Sequence, residues 1–370
     1  MTKMKIRPYN KLYSAYRGKP QWKGAVRIAA AAAAVLLLLL LVAAAIVFRR
    51  ELAVAGTVRP LDQGLPAYFM EVKGDYYFEE FLTQGGASSD GEVSAFLSGK
   101  ISKGFYRVPV EAGRKGCSVL SVWNEGSIHL WGRNYDWTGS VPVIVRHIPE
   151  EGYASLSTCD FQNITGSAEA LPEGMVNKLL AIAALYVPLD GVNEAGLCVA
   201  DLEVNEGGMP DPDTEKPDLT ITTAIRLLLD KAASVDEALD LLRQYDIHPS
   251  GGISHHLAVS DAKGNSVVVE FTRTGFTAVP AEAVTNFNML AGDTAAGGES
   301  ARKCYEILTS RLEQGVITNT EQVRDAMQEV SQTDSTWNTQ WSIVYDQSHP
   351  YVTWYFGGDF TQGGSLSILP

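Results

Sequence analysis

Residues 28–48 form an unbroken apolar run, alanine-rich and then leucine-rich, without one charged side chain. A segment of this kind is long enough to span a bilayer, and in hydrocarbon its main chain is satisfied only as a helix. Eight Lys/Arg and no acid precede it (Lys3, Lys5, Arg7, Lys11, Arg17, Lys19, Lys23 and Arg27). The positive-inside rule therefore keeps residues 1–27 in the cytoplasm and sends everything after Arg50 outside. The competing reading is a signal peptide, whose apolar core is shorter and is followed by a small-residue cleavage site. Arg49-Arg50-Glu51, directly after the run, argues against cleavage there, whereas Ala53-Val54-Ala55-Gly56 keeps that alternative open.

The rest of the chain is of a different kind. With 370 residues, 45% of them hydrophobic and 20% charged, it has the composition of a folded protein of one large domain or two ordinary ones. Of 30 Lys/Arg, 22 lie beyond residue 27, against all 43 Asp/Glu. A body so anionic argues against nucleic acid as a partner. Residues 51–66 show no period and read as a short stalk. The stretch 68–104 carries its own apolar face and is expected to pack on the domain after it.

The chemistry gathers at Gly116-Cys117-Ser118-Val119-Leu120-Ser121-Val122-Trp123. This run is followed by Asn124-Glu125-Gly126 and then Ser127-Ile128-His129-Leu130-Trp131-Gly132-Arg133-Asn134-Tyr135-Asp136-Trp137. Two β-type runs about an Asn/Gly turn read as a hairpin. A three-residue turn with Gly126 left-handed sets Cys117 opposite Arg133 on one face, with Asp136 just past the strand end. A guanidinium that never titrates favours the thiolate of a nearby cysteine. Cleavage before Cys117 would add an α-amine, with an ordinary pKa of roughly 8, as base for its own thiol. Asp136 would orient that amine.

Cys117, Arg133 and Asp136 in this spacing, within Gly-Arg-Asn-Tyr-Asp-Trp, resemble the N-terminal-nucleophile cysteine amidohydrolases. These include choloylglycine hydrolases, penicillin V acylases, isopenicillin N acyltransferase, and the acid ceramidase and N-acylethanolamine amidase group. The resemblance continues at Asp190-Gly191-Val192-Asn193-Glu194-Ala195-Gly196-Leu197, at Val284-Thr285-Asn286 and at Thr339-Gln340-Trp341-Ser342-Ile343-Val344-Tyr345. It implies an α+β fold, the four-layer αββα sandwich, here preceded by one transmembrane helix. It also implies that Asn193 donates to the oxyanion and that Asn286 lies near the scissile carbonyl. Arg302 resembles an active-site arginine of the bile-salt branch, although only fifteen residues separate it from Asn286, where that branch has a much longer excursion.

Beyond these motifs, helices are expected at 177–186, 220–231, 234–244, 299–312 and from a capping box at 318–321. Strands are expected at 141–148, 154–156, 196–202, 255–260 and 266–272, and finally at 341–346 and 351–356. Residues 207–218 read as a surface loop. His255 and His256 are adjacent and on a strand point to opposite faces. Cys117, Cys159, Cys198 and Cys304 lack metal-ligand spacing, so no metal or cofactor is expected. Two disulfides are the structural alternative for an even cysteine count outside the membrane. The organisation is then a basic tail (1–27), an anchor (28–48), a stalk and pre-nucleophile segment (49–116) and a catalytic domain (117–370). The expected reaction is hydrolysis of a small-molecule N-acyl amide through a thioester on Cys117. An acyltransferase using the same intermediate, or a non-catalytic tethered binding protein, are the alternatives. The oligomeric state is not readable.

Overall fold

The computed structural model describes residues 22–110, 116–124, 128–204, 210–290, 297–333 and 337–370. The basic tail up to residue 21, the Gly126 turn and residues 207–209 of the expected surface loop lie outside them. The chain divides into two units, Met1–Arg50 and Glu51–Pro370. The first contains the helix Trp22–Val47. Its stretch Gly24–Val47 is long and apolar enough to cross a membrane.

Two large sheets make up the second unit. Nine strands run in the order Arg59–Pro60, Tyr68–Lys73, Pro142–Ile148, Ser155–Asp160, Asp190–Asn193, Cys198–Glu203, His255–Ser260, Ser266–Thr272 and Gly275–Pro280. Only the pairing of Tyr68–Lys73 with Pro142–Ile148 is parallel. The six-stranded sheet runs Ala283–Thr285, Gly116–Asn124, Ile128–Trp137, Asn338–Asp346, Tyr351–Phe356 and Asp359–Ser367, antiparallel throughout.

Strand alternation sorts the side chains into three apolar layers. Between the sheets, Val119, Trp131 and Ile343 meet Ile144, Leu156 and Ala200. Their sequence neighbours point the other way. Val143, Val145, Val199 and Leu257 pack against the helices Phe78–Thr83, Asp90–Ile101, Ile221–Lys231 and Val235–Leu242. Leu120, Val122 and Leu130 pack against Gly298–Glu313 and Thr320–Glu329. Two indoles tie the sheets together across the middle layer. Trp341 Nε1 donates to Asp190 Oδ2 (2.9 Å) and Trp354 Nε1 to Thr158 Oγ1 (3.0 Å).

Several boundaries differ from the sequence reading. The expected stalk is part of the body. A helix, Arg49–Ala55, sets Val54 into the core, followed by Val58. Buried Glu51 accepts from Lys103 Nζ at 2.6 Å. About two helical turns are too short to show a period, which is why the segment reads as irregular. The N-cap of the last helix is Asn319, one residue later than expected, with its Oδ1 accepting from Gln322 N (2.9 Å). The closing strand Asp359–Ser367, thin in apolar residues, gives no sequence signal.

A buried charge cluster pins the helix Ile221–Lys231 to the nine-stranded sheet. Asp230 Oδ1 accepts from Arg226 Nη2 (2.6 Å) and meets His147 Nδ1 (2.9 Å). Burial pushes the Asp230 carboxyl up, but Arg226 and His147 outweigh it and hold it below its ordinary 3.8. Because the folded value is depressed, the stabilisation is complete above pH 3.8 and is lost as pH falls through the lowered value. Asp230→Ala is expected to cost about 3–5 kcal/mol, the range for breaking a buried pair. Urea titrations near neutral pH measure this loss. The gap between variant and wild type should narrow in acid.

Candidate active site

The strand Gly116–Asn124, which carries Cys117, lies between Ala283–Thr285 and Ile128–Trp137. The hairpin pairs Asn124 with Ile128, so its turn starts one residue later than the sequence suggests. Cys117 therefore faces Tyr135, and Arg133 faces Val119. A slip of this kind preserves strand parity, and the cysteine and arginine still share the inward face. Asp136 is not past the strand end. It pairs with Gly116 and belongs to the opposite face from Cys117. Thr339 Oγ1 donates to Asp136 Oδ1 at 2.6 Å. A Cβ on Gly116 would lie 3.3 Å from Asp136 Cβ and 3.6 Å from Oδ2. The missing side chain thus lets the carboxylate lie against the main chain just before the nucleophile.

Arg133 is completely buried between the sheets. Its Nε meets Asp190 Oδ2 at 2.8 Å and its Nη2 donates to Asp201 O at 3.1 Å. The guanidinium lies over Tyr135, 5.2 Å from the ring centre, and Tyr135 stacks on Trp341 at 3.8 Å. Burial alone would lower the arginine's pKa. Cys117, then Asp190 and Asp201, hold it above the ordinary value. The interaction with Cys117 runs both ways, so this fixed cation favours the thiolate.

Asn286 follows the strand beside Cys117. Its Oδ1 accepts from the Cys117 main-chain N–H (2.7 Å), and its Nδ2 donates to Glu203 O (2.7 Å). The amide oxygen thus holds the Cys117 main-chain nitrogen.

Two residues read from the sequence are not brought here. Asn193 is spent on structure: Nδ2 donates to Leu229 O (3.1 Å) and Ala232 O (2.7 Å), and Oδ1 accepts from Ala195 N (3.1 Å) and Leu197 N (3.0 Å). Those four bonds fill the amide's capacity and tie its turn to the end of the helix Ile221–Lys231, so the oxyanion role expected of it is withdrawn. Arg302 is half-buried on the outer helix Gly298–Glu313, where it pairs with Glu306 at 3.0 Å. That helix turns Ala301, Cys304 and Leu308 towards the sheet and leaves Arg302 outside.

The sequence reading missed Asp190, although it opens a quoted motif, because the asparagine drew attention there. It also missed the Tyr135–Trp341 stack. All four cysteines are reduced and buried, contrary to the disulfide alternative. Among the described residues no three His, Cys, Asp or Glu come together as a metal site. His255 bonds Asp201 Oδ1 (2.7 Å) and Ser250 O (2.8 Å), while burial pushes His256 down to about 3.

Asn193→Ala is expected to lower stability by about 2–4 kcal/mol, at roughly 1 kcal/mol for each hydrogen bond lost, as read by denaturant titration. The rate at which a small alkylating agent reacts with Cys117 in the folded protein should stay at the wild-type value. Arg133→Met, which removes the fixed cation, should slow the same alkylation about tenfold by lowering the thiolate fraction.

Residues 117–286 match the linear amide C-N hydrolases, choloylglycine hydrolase family. Penicillin V acylase of Pectobacterium atrosepticum is 27% identical over 160 residues, 38% of this chain and 40% of that protein. The match thus spans about two fifths of that relative's length. Two crystal structures of variants of the conjugated bile acid hydrolase from Clostridium perfringens share the fold. Each has a TM-score of 0.51 and covers 68% of this chain and 92% of its own, at 15% and 14% identity. The matched segment begins at Cys117 and ends at Asn286, the two residues joined by the hydrogen bond described above. The stretch from Cys117 to Asn286 is thus similar to the choloylglycine hydrolase family of linear amide C-N hydrolases, and the body shares the α+β fold of the bile acid hydrolase structures.

Proposed function

We propose that the protein is a membrane-anchored amidase that hydrolyses N-acyl amides through a thioester on Cys117, after cutting its own chain between Gly116 and Cys117. The observation that carries this reading is the grip on both reactive atoms of one residue. Arg133 holds a charge beside the thiol, and Asn286 Oδ1 takes the N–H of the nitrogen that cleavage would turn into an α-amine.

In the cleavage step the Cys117 sulfur adds to the Gly116 carbonyl carbon, and the peptide nitrogen departs with a proton as the new amine. Water then releases Gly116 as a carboxylate. In turnover the amine takes the thiol proton while sulfur attacks the substrate carbonyl, and returns it to the departing amine. Water, deprotonated by the same amine, then frees the acid. With Asn193 excluded, main-chain N–H groups and the Asn286 amide are left to stabilise the tetrahedral oxyanion. One such donor contributes about 3 kcal/mol.

A retained anchor fits the packing better than a removed leader. The small-residue stretch that would be cut includes Val54 and Ala55, which are buried in the body, and processing after it would also remove Glu51 from Lys103. Residues 1–27 then stay in the cytoplasm and the catalytic body faces outward. The acyl amides to test first are those for which the relatives are named, conjugated bile acids and penicillin V.

The purified protein should show two masses that meet at the Gly116–Cys117 bond, and Cys117→Ala should show one. A panel of N-acyl amides should be turned over to free acid by the wild type alone. An intact chain that still hydrolyses amides would overturn self-cleavage and leave the amidase standing. A two-chain protein that releases no acid, or passes the acyl group only to added amines, would overturn the hydrolase.

A further inference from the structure

We propose that Glu270 is a positioning residue for the nucleophile's nitrogen, acting through Asn286; the inference rests on the reading of Cys117 as nucleophile. Glu270 stands on the strand Ser266–Thr272, in the other sheet from Cys117, paired across the ladder with His256. Its side chain is buried, and no cation among the described residues pairs with it. Leaving a carboxylate in such a place costs several kcal/mol unless hydrogen bonds compensate. Among the described residues the compensation comes from one source. The main-chain N–H groups of Met289 and Leu290 both donate to it, the latter at 3.0 Å.

Those two amides lie just beyond Asn286. The segment from Thr285 to Leu290 leaves the six-stranded sheet and bends, with Phe287 N donating to Thr285 O at 2.9 Å. Thr285 Oγ1 anchors its start to Ala301 O (3.0 Å), and Asn286 Nδ2 anchors its middle to Glu203 O (2.7 Å). Glu270 fixes its far end. Both carboxylate oxygens are used, one for each consecutive N–H, so the far end is held in direction as well as distance. The orientation of Asn286, and with it the bond from Cys117 N–H to Asn286 Oδ1, depends on that bend keeping its shape. His256, across the ladder from Glu270, supplies no charge to it, because burial keeps the ring neutral near pH 7.

A clamp that only stabilised the fold would change the melting temperature and leave turnover in the folded enzyme alone. A positioning residue changes turnover by the route Asn286 uses. The test is a double-mutant cycle in the full chain with Glu270→Ala, Asn286→Ala and both together, following kcat and KM on an N-acyl amide that the wild type hydrolyses. Glu270→Ala should lower kcat about tenfold or more, with KM within about twofold, since a displacement of about 1 Å costs that much. The double variant should be no slower than Asn286→Ala alone. Multiplying effects, or an unchanged kcat, would overturn the proposal. Should Glu270→Ala fail to fold, Glu270→Gln keeps one acceptor and is expected to fall between the two. A parallel arm follows the pH profile of Cys117 alkylation, which needs no substrate. The profile should shift alike in Glu270→Ala and Asn286→Ala even if no amide in the panel is a substrate; a wild-type profile in Glu270→Ala would overturn the positioning role independently of the amidase reading.

Discussion

The ion pair between Arg133 and Asp190 is the interaction on which the rest of the site depends. It crosses from one sheet to the other inside the apolar middle layer, where both side chains are wholly withdrawn from water. Burial pushes the Asp190 carboxyl up, which is the mark of its desolvation cost. A pair in such a place is not there for stability, since an apolar pair of similar volume would serve as well or better. What an apolar pair lacks is a permanent positive charge beside a sulfur. Asp190 makes that charge tolerable by setting beside Arg133 Nε the same oxygen that accepts from Trp341. Tyr135 and Trp341, stacked on each other, both lie under the guanidinium and leave the arginine little room to turn away.

Strand parity then divides the labour around one residue. Cys117 and Arg133 point inward, so the sulfur sits in a dry, charged environment. Gly116 and Asp136 belong to the outward face, where the carboxylate lies against the peptide to be cut under the proposed activation. The nitrogen of Cys117 points along the sheet plane to Asn286. Sulfur, nitrogen and the preceding carbonyl are thus served by three sets of neighbours that do not compete for space. An edge strand as short as Ala283–Thr285 suits this arrangement, because it ends where Asn286 must leave the ladder and offer a side-chain acceptor in place of a carbonyl.

Legibility in the sequence followed the range of the interactions. The hairpin was readable because its alternation and turn are local, and a turn placed one residue early cost little, since parity survived. Asn286 was readable as part of a motif. Asn193 misled for the same reason: its motif is real, but what it marks is a turn that an asparagine ties to a helix end some forty residues on, and no spacing rule separates that role from an oxyanion donor. Arg302 misled because a helix start fixes only which residues are helical. Which side of that helix meets the sheet was decided by Ala301, Cys304 and Leu308. Asp190 went unread because its partner is in the other sheet, and the packing of two sheets is not written in either of them alone.

The packing of the residues before the nucleophile bears on the order of events in the proposed activation. Tyr68–Lys73 is an interior strand of the nine-stranded sheet, and the helices Phe78–Thr83 and Asp90–Ile101 supply Phe78, Phe81, Val93 and Leu97 to its outer core. Burying each of these side chains contributes about 1.5–3 kcal/mol. A chain cut before it had folded would lose the covalent link that brings this segment to its strand partner, and association would carry an entropy cost that an intramolecular contact does not. The geometry at Gly116 also exists only once the sheet has formed, since Asp136 and Asn286 reach it from different strands. Folding must therefore come first. Under that proposal the cut would change connectivity and little else, leaving two chains held by one core.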